Sequence, residues 1–273
     1  MSDRRPIGVF DSGVGGLTVL SEIRRRLPLE STIYLGDNAR APYGPRPADE
    51  VRRFSAACAA WLEAREVKLL VLACNTATAQ ALDLVRSVSA VPVVGVVRPG
   101  AVAVAAASRT RHVGVVATTG TVDSGAYLAA IVEAEPRTVV SQQACPDLVP
   151  LVEAGMLDGP QPERALRAYL GDLFARDAAI DTLLLGCTHY PLLWPLFERV
   201  VGRSVSVVDS AFTTALAIED LLDALGSRTD GSEPGENRIL TTGEVSAFTS
   251  VAERIFGAEL PAVERAAVAG LLP

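Results

Sequence analysis

Short apolar runs alternate with amphipathic segments along almost the whole chain. The apolar runs are rich in β-branched residues, which is typical of strands that are buried on both faces of a sheet. They predict strands at residues 7–10, 32–35, 69–73, 93–96, 113–117, 138–141, 182–185, 205–208 and 239–241. Because helices would alternate with these strands, the pattern predicts the α/β class, with parallel sheets covered by helices on both faces.

The segments between these runs carry apolar residues at helical spacing. Between residues 49 and 66 the apolar positions 51, 54, 58, 61 and 62 fall on one face of a helix. Residues 166–174 repeat this pattern, and residues 244–256 form a further helical stretch. The stretch 226–237 is rich in Gly, Ser, Pro and charge, and we expect it to be a surface loop.

Two of the predicted strands lead into the same short pattern. Residues 70–76 read LVLACNT and residues 183–189 read LLLGCTH, each a buried strand followed by a small residue, a cysteine and a polar pair. The echo predicts two similar α/β lobes, although two Leu-rich strands can also look alike by chance. Ligands of open parallel sheets bind at the carboxyl ends of the strands, where both cysteines fall.

Charge and hydropathy narrow the class of protein. The 273 residues include 25 Lys and Arg against 32 Asp and Glu, a net charge of −7. This balance argues against a nucleic-acid partner, which is bound through a concentrated positive surface. No run approaches the ~20 apolar residues of a membrane span, and residues 1–13 lack the apolar core of a signal peptide. We therefore expect a cytoplasmic protein that binds neither membrane nor nucleic acid.

The residue counts also restrict the cofactor chemistry. Four cysteines without CxxC spacing and two histidines match neither a disulfide framework nor a zinc site, so no metal is expected. Lys68 is the only lysine and precedes a predicted strand, at the end of the sheet opposite to the usual ligand site. This position argues against a lysine-bound pyridoxal phosphate.

Cys74 and Cys187 are the candidate catalytic groups. A single buried cysteine is more often a small hydrophobe, and we expect Cys58 and Cys145 to be structural. A matched pair, however, could face one another across a cleft. One thiolate could then remove an α-proton while the other group, as thiol, donates a proton to the opposite face, which is the geometry of racemisation. Because a free thiol has a pKa of ~8.5, neighbouring groups must tune both.

Two polar residues stand beside these cysteines or at an equivalent strand end. His189 follows Cys187 by two residues and could assist its proton transfer. Asp11 ends the first strand and could bind a substrate ammonium or partner Cys74, but an Asp at that place is also a common helix cap or turn residue.

The glycine-rich turn after the first strand leaves two interpretations open. Residues 12–17 read SGVGGL, and a dinucleotide fingerprint would need glycine where the chain has Thr18. A nicotinamide-dependent oxidoreductase, with Asp37 on the ribose, is therefore the weaker interpretation. Backbone N–H groups of such a turn also suit a carboxylate. Other groups that could contact a substrate are Ser12, Tyr43, Gly44, Asn75, Thr76 and Thr188.

In these segments the chain resembles the glutamate racemases, cofactor-independent enzymes that make D-glutamate for peptidoglycan. The matching blocks are residues 8–17, 36–37 with 42–44, 73–76, 144–146 with 151–155, and 185–192. The resemblance implies two flavodoxin-like, doubly wound lobes with the active site in the cleft between them, no cofactor, and glutamate as substrate. Aspartate racemases share this architecture but usually carry Glu at the position of His189, which favours glutamate.

The resemblance also implies individual roles. Cys74 and Cys187 become the two proton donor/acceptors, and Asp11, Glu153 and His189 the auxiliary acid–base residues. Taken alone, Glu153 could equally be a plain carboxylate on a helix surface. The substrate-contact positions of the family fall on Asp11, Ser12, Tyr43, Gly44, Asn75, Thr76, Thr188 and His189.

The same resemblance implies a domain organisation. The chain would cross between lobes near Arg98 and Val205, so that residues 1–97 and 206–273 form one lobe and residues 98–205 the other. Many members of the family are homodimers, and we expect the same here. A non-catalytic protein that binds an amino acid on the same fold stays an alternative.

Overall fold

Strands and helices alternate throughout the computed structural model, which describes residues 3–256 and 261–269. The strands are β1 (Ile7–Asp11), β2 (Thr32–Gly36), β3 (Leu69–Leu72), β4 (Val93–Gly95), β5 (His112–Ala117), β6 (Val139–Ala144), β7 (Thr182–Gly186), β8 (Ser206–Asp209), β9 (Asn237–Thr241) and β10 (Val263–Arg265). The helices are α1 (Leu17–Arg26), α2 (Ala48–Glu63), α3 (Asn75–Val88), α4 (Val97–Ala107), α5 (Thr119–Asp123), α6 (Ala126–Ala134), α7 (Leu148–Glu153), α8 (Pro160–Arg176), α9 (Trp194–Val201), α10 (Ser210–Ala224) and α11 (Val245–Phe256).

The strands form two separate parallel sheets. The first has the order β10-β9-β2-β1-β3-β4 and the second the order β6-β5-β7-β8. The first four strands of each sheet in the chain thus occupy the same relative places, because β1 lies between β2 and β3 as β5 lies between β6 and β7. This arrangement confirms the predicted pair of α/β lobes.

The return of the chain to the first lobe differs from the prediction. Strand β8 pairs in parallel with β7, with Ser206 opposite Thr182 and Asp209 opposite Leu185. Its backbone hydrogen bonds therefore place residues 206–209 in the second sheet, whereas the predicted boundary at 205/206 assigns them to the first lobe. The return follows Asp209, whose side chain accepts hydrogen bonds from the first N–H groups of α10.

The predicted strands correspond to β1–β9, with ends displaced by up to three residues. Strand β10 has no counterpart among the predictions. It is only three residues long and Glu264 and Arg265 are exposed, so it lacks the apolar run that identifies a strand. Residues 257–260 and 270–273 of the closing segment lie outside the described part of the chain.

One apolar cluster spans the two lobes. A continuous cluster of buried residues includes Val9 and Leu17 from the first lobe and Leu185 and Phe197 from the second. Helix α10 connects the lobes by packing on both α1 and α4. The carboxyl ends of β1 and β3 are thereby fixed relative to the carboxyl end of β7.

A buried ion pair lies at the amino ends of the strands of the first sheet. Lys68 Nζ lies 2.6 Å from Glu30 Oε2, with side chains only 1% and 3% exposed. The ammonium also donates to the carbonyl oxygens of Asp3 and Ser227, both at 2.7 Å. Glu30 in turn accepts a hydrogen bond of 2.9 Å from the backbone of Thr229. The segment predicted as a surface loop is thus anchored to the amino ends of the strands.

Within residues 3–256 and 261–269, none of the helices combines the length and apolarity that a bilayer crossing requires.

Candidate active site

A cavity of ≈ 390 Å³ lies between the two lobes, at the carboxyl ends of their strands. The first lobe contributes Ser12, Gly13, Ala41, Pro42, Tyr43, Gly44, Pro45, Cys74, Asn75 and Thr76 to its wall. The second lobe contributes Thr118, Thr119, Pro146, Val149, Pro150, Glu153, Cys187, Thr188 and His189. Its volume falls in the range of small-ligand sites.

Both candidate thiols open into this cavity from different lobes. Cys74 follows β3 and caps the amino end of α3, whereas Cys187 follows β7. Each is 5% exposed. The two cysteines predicted at strand ends therefore line the same cavity, one from each lobe.

Cys74 stands in an environment that favours its neutral form. Its Sγ accepts a hydrogen bond of 3.4 Å from the backbone N–H of Ala77 and lies 3.5 Å from Ser12 Oγ. Burial, and secondarily the nearby charge of Asp11, raise the pKa of Cys74 to about 12. This group is consequently a thiol, ready to donate a proton, at neutral pH.

Cys187 belongs to a chain of three polar groups. Its Sγ is 3.9 Å from His189 Nδ1, and His189 Nε2 is 3.0 Å from Glu153 Oε1. Burial opposes a charge on the imidazole, but the hydrogen bonds with Cys187 and Glu153 outweigh it and raise the pKa of His189 to about 10. His189 is therefore a positively charged imidazolium at neutral pH and can stabilise a thiolate beside it.

Asp11 stands behind the cavity wall and is not among the lining residues of the described chain. Its Oδ2 accepts a hydrogen bond of 2.9 Å from Gly13 N–H, while its buried Oδ1 has no hydrogen-bond partner within the described ranges. Burial raises the pKa of Asp11, and the charge of His189 lowers it in part. Asp11 therefore acts on Cys74 through its charge, which raises the pKa of that thiol.

The glycine-rich turn lets the two lobes approach closely. A Cβ atom on Gly15 would lie 2.4 Å from Thr188 Oγ1 and 2.5 Å from His189 Nδ1. Thr18 Oγ1 donates a hydrogen bond of 3.0 Å to the carbonyl oxygen of Thr188. The turn therefore packs against the segment that carries Cys187.

Asp37, the residue that a nucleotide site would need, is fully buried in other contacts. It accepts hydrogen bonds from Tyr43 Oη at 2.5 Å and Thr242 Oγ1 at 2.7 Å, and it forms an ion pair with Arg40. These contacts leave no oxygen of Asp37 for a ribose. These contacts hold the turn that contains Tyr43 and Gly44, two residues that line the cavity.

Hydroxyl and amide groups cross the cleft around the cavity. Asn75 Nδ2 donates to Tyr127 Oη at 2.7 Å, and Thr76 Oγ1 is 2.9 Å from Thr118 Oγ1. Thr118 and Thr119 also line the cavity and were not predicted from the sequence. They follow the apolar run of β5, whose carboxyl end lies beside that of β7, so the strand pattern contained the necessary signal.

The described residues contain no group of three or more His, Cys, Asp or Glu side chains arranged to hold a metal ion.

Comparisons with known proteins agree with this geometry. The family model of the Asp/Glu/Hydantoin racemases matches residues 8–218. A glutamate racemase from Shouchella clausii is 46% identical over 248 residues, which are 91% of this chain and 89% of that relative. Two crystal structures are similar over nearly all of both chains. A glutamate racemase isoform from Bacillus anthracis is 40% identical, with a TM-score of 0.93 and coverage of 97% and 98%. A glutamate racemase from Francisella tularensis, in complex with D-glutamate, is 33% identical, with a TM-score of 0.90 and coverage of 98% and 100%.

The family match covers both lobes up to α10, and the relatives extend over almost the whole chain. The chain therefore belongs to the glutamate racemases within the Asp/Glu/hydantoin racemase family, and is an amino-acid racemase, an isomerase.

Proposed function

We propose that the protein interconverts L- and D-glutamate without a cofactor, with Cys74 and Cys187 acting on opposite faces of the α-carbon. The observation that carries this proposal is the meeting of two thiols, one from each lobe, in a cavity of ≈ 390 Å³. Glutamate is supported as substrate by the relatives, one of which binds D-glutamate in its crystal structure.

The reaction needs one thiolate and one thiol at each turnover. The thiolate takes the α-proton, so that a Cα–H bond breaks and an S–H bond forms. The carbanion then takes the proton of the opposite thiol, which becomes the thiolate. Cys74 and Cys187 exchange roles when the direction of reaction changes. A substrate ammonium between them would favour the thiolate form of either, because an opposite charge within about 4–6 Å lowers a thiol pKa.

The auxiliary residues act on different thiols, and therefore on different faces of the substrate α-carbon. His189, protonated and hydrogen-bonded to Glu153, would stabilise the thiolate of Cys187. Asp11 would act on the other face, because its charge makes the Cys74 thiolate a stronger base. We assign Asp11 to the Cys74 face and propose that it also contacts the bound substrate, as the family resemblance implies.

Substrate binding would use the lining groups at the strand ends. Cys74 caps α3, so the N–H groups of Asn75 and Thr76 lie in the first turn of a 14-residue helix, where a carboxylate is favoured. Ser12, Tyr43, Gly44, Thr188 and His189 complete the proposed set of contacts around the same cavity. We further propose that the enzyme works in the cytoplasm and supplies D-glutamate for peptidoglycan, as the family resemblance implies.

A polarimetric assay without added cofactor tests this function. We expect L-glutamate and D-glutamate each to lose optical activity until both reach the racemic mixture, whereas L-aspartate should change far more slowly. Saturable binding of glutamate without loss of optical activity would contradict catalysis and favour a non-catalytic binding protein. Faster turnover of aspartate would contradict the assigned substrate.

Substitution of Glu153 by Gln should shift the pH dependence of turnover. The Glu153 carboxylate stabilises the His189 imidazolium, so its removal should lower the pKa of His189 from about 10 towards its ordinary value of about 6.5. Because the imidazolium stabilises the Cys187 thiolate, the decline of kcat at high pH should begin at lower pH in the variant. We would measure kcat from about pH 6 to pH 10. Glu163→Gln removes a carboxylate elsewhere on the second lobe and should leave the profile in place; an unshifted profile for Glu153→Gln would contradict the role of this pair.

We propose that the protein is a homodimer. Helices α3, α4 and α6 contact one another and expose apolar side chains: Leu84, Val88, Val102, Leu128 and Val132 are 37–64% exposed. Exposed apolar side chains on adjoining helices are typical of an interface. Light scattering should give twice the mass of the chain, and Val88→Arg with Val102→Arg should give the single mass. Leu29→Arg, at an exposed apolar residue between α1 and β2, serves as the control. A wild-type monomer at micromolar concentration would contradict the proposal.

A further inference from the structure

Helix α11 of the first lobe reaches the second lobe behind the cavity. Near its beginning, Phe248 is fully buried and packs on Tyr34, with ring centroids 6.5 Å apart. Tyr34 Oη donates a hydrogen bond of 2.7 Å to the carbonyl oxygen of Gly13 in the glycine-rich turn. Near its end, α11 packs on α7 of the second lobe. Helix α11 therefore contacts elements that support the cavity in both lobes: Tyr34, which holds the glycine-rich turn of the first lobe, and α7 of the second lobe.

Arg254 contributes a hydrogen bond to the contact with α7. Its Nη1 donates a hydrogen bond of 2.9 Å to the carbonyl oxygen of Glu153, the last residue of α7. Carbonyl groups at the end of a helix lack partners within the helix, and a positive charge is favoured there. The side-chain stem lies over the turn that follows, because a Cβ atom on Gly155 would be 2.6 Å from Arg254 Cδ.

The residue held by Arg254 is the one that orients His189. The carboxylate of Glu153 is 3.0 Å from His189 Nε2, and the opposite ring nitrogen is 3.9 Å from Cys187 Sγ. Helix α7 has only six residues, and the Glu153 side chain is 40% exposed. Leu148, Leu151 and Val152 anchor α7 in the apolar core, and Glu153 follows them at the partly exposed end of the helix. The hydrogen bond from Arg254 to the Glu153 carbonyl is therefore an additional restraint on where the Glu153 carboxylate lies.

We infer that Arg254 is a positioning residue for the Cys187 face of the reaction: it holds the end of α7 so that Glu153 meets His189. The inference rests on the proposed two-thiol function. Arg254 lies outside the cavity lining and acts only through Glu153. The Cys74 face, with Ser12, Ala77 and Asp11 around the thiol, has no contact with this residue in the described structure.

Deuterium isotope effects can separate the two faces. With α-deuterated L- and D-glutamate, the isotope effect on kcat/KM reports how far removal of the α-proton limits each direction. Slower proton transfer at Cys187 should raise this effect for the enantiomer that Cys187 deprotonates. It should lower the effect for the other enantiomer, whose proton is removed by Cys74 and for which Cys187 only returns a proton.

The test compares Arg254→Gln, Arg254→Lys and wild type. We expect Arg254→Gln to lower kcat about 10- to 100-fold, as small displacements of reacting groups do, with KM within about twofold and the isotope effects moved in opposite directions. Arg254→Lys should recover much of kcat, because an ammonium can also donate to the Glu153 carbonyl. Arg65→Gln removes a comparable bond to the carbonyl of Trp61, remote from the cavity, and should match wild type.

The outcomes distinguish this inference from the proposed function. Wild type without racemase activity would overturn the proposed function, and the inference with it. Active wild type together with unchanged isotope effects in Arg254→Gln would overturn the inference alone, whether kcat is retained or falls, because a merely structural residue alters the active fraction without favouring one face.

Discussion

Replacement of either Cys74 or Cys187 by alanine is expected to abolish racemisation in both directions. Each thiol removes the proton in one direction and returns it in the other, so the loss of one interrupts both. General acid–base groups contribute up to about 10⁴-fold, and we expect kcat to fall on that order. The control is Cys58→Ala: this thiol is buried in the core of the first lobe, outside the cavity lining, and its removal should leave turnover near the wild-type value.

The two alanine variants should also differ from one another in heavy water. A variant that keeps one thiol can still remove and return a proton on one face, so it should exchange the α-proton of a single enantiomer for deuterium. Cys74→Ala and Cys187→Ala should then select opposite enantiomers, as followed by proton NMR. Near-normal racemisation by either variant, or exchange of the same enantiomer by both, would contradict the assignment of one thiol to each face.

Replacement of Lys68 by methionine is expected to be the most destabilising of the substitutions considered. It leaves the Glu30 carboxylate, 3% exposed, without its cation, and it removes hydrogen bonds to the carbonyls of Asp3 and Ser227. Breaking a buried ion pair in this way costs about 3–5 kcal/mol. Urea unfolding should therefore show a loss of this size in the free energy of unfolding.

The second half of this test is the double variant Lys68→Met with Glu30→Met. Because replacement of a whole buried pair by apolar residues is often close to neutral, the double variant should recover much of the lost stability. Turnover per folded molecule should be unchanged in both, since the pair lies at the end of the first sheet opposite the cavity. A loss below about 1 kcal/mol in the single variant would show that the pair behaves like an exposed one.

The fold was largely predictable because buried strands leave a strong local signal. The strands that precede Cys74 and Cys187 contain continuous apolar runs, and each is buried along its full length. Strand β10 and the true end of the second lobe were not predictable in this way. Their assignment depends on hydrogen bonds to β9 and β7, which pair residues distant in the chain and leave no mark on local composition.

The candidate site was predictable as far as strand ends identify it. Cys74 and His189 line the cavity as expected, whereas Asp11 is fully buried and is not among the lining residues. Residue type and position could not distinguish a side chain in the wall from one just behind it. Nor could they reveal that Arg254, from a helix 101 residues further along the chain, holds the backbone of Glu153. Such contacts arise only from the packing of the two lobes.

A crystal structure with bound glutamate tests the central claim most directly, through the distances from the two sulfur atoms to the α-carbon. We predict that Cys74 Sγ and Cys187 Sγ both lie about 3–3.5 Å from this carbon, the separation of groups poised to react, and approach it from opposite faces. Sulfur atoms on the same face of the ligand, or one sulfur atom out of reach of the α-carbon, would contradict the two-thiol mechanism.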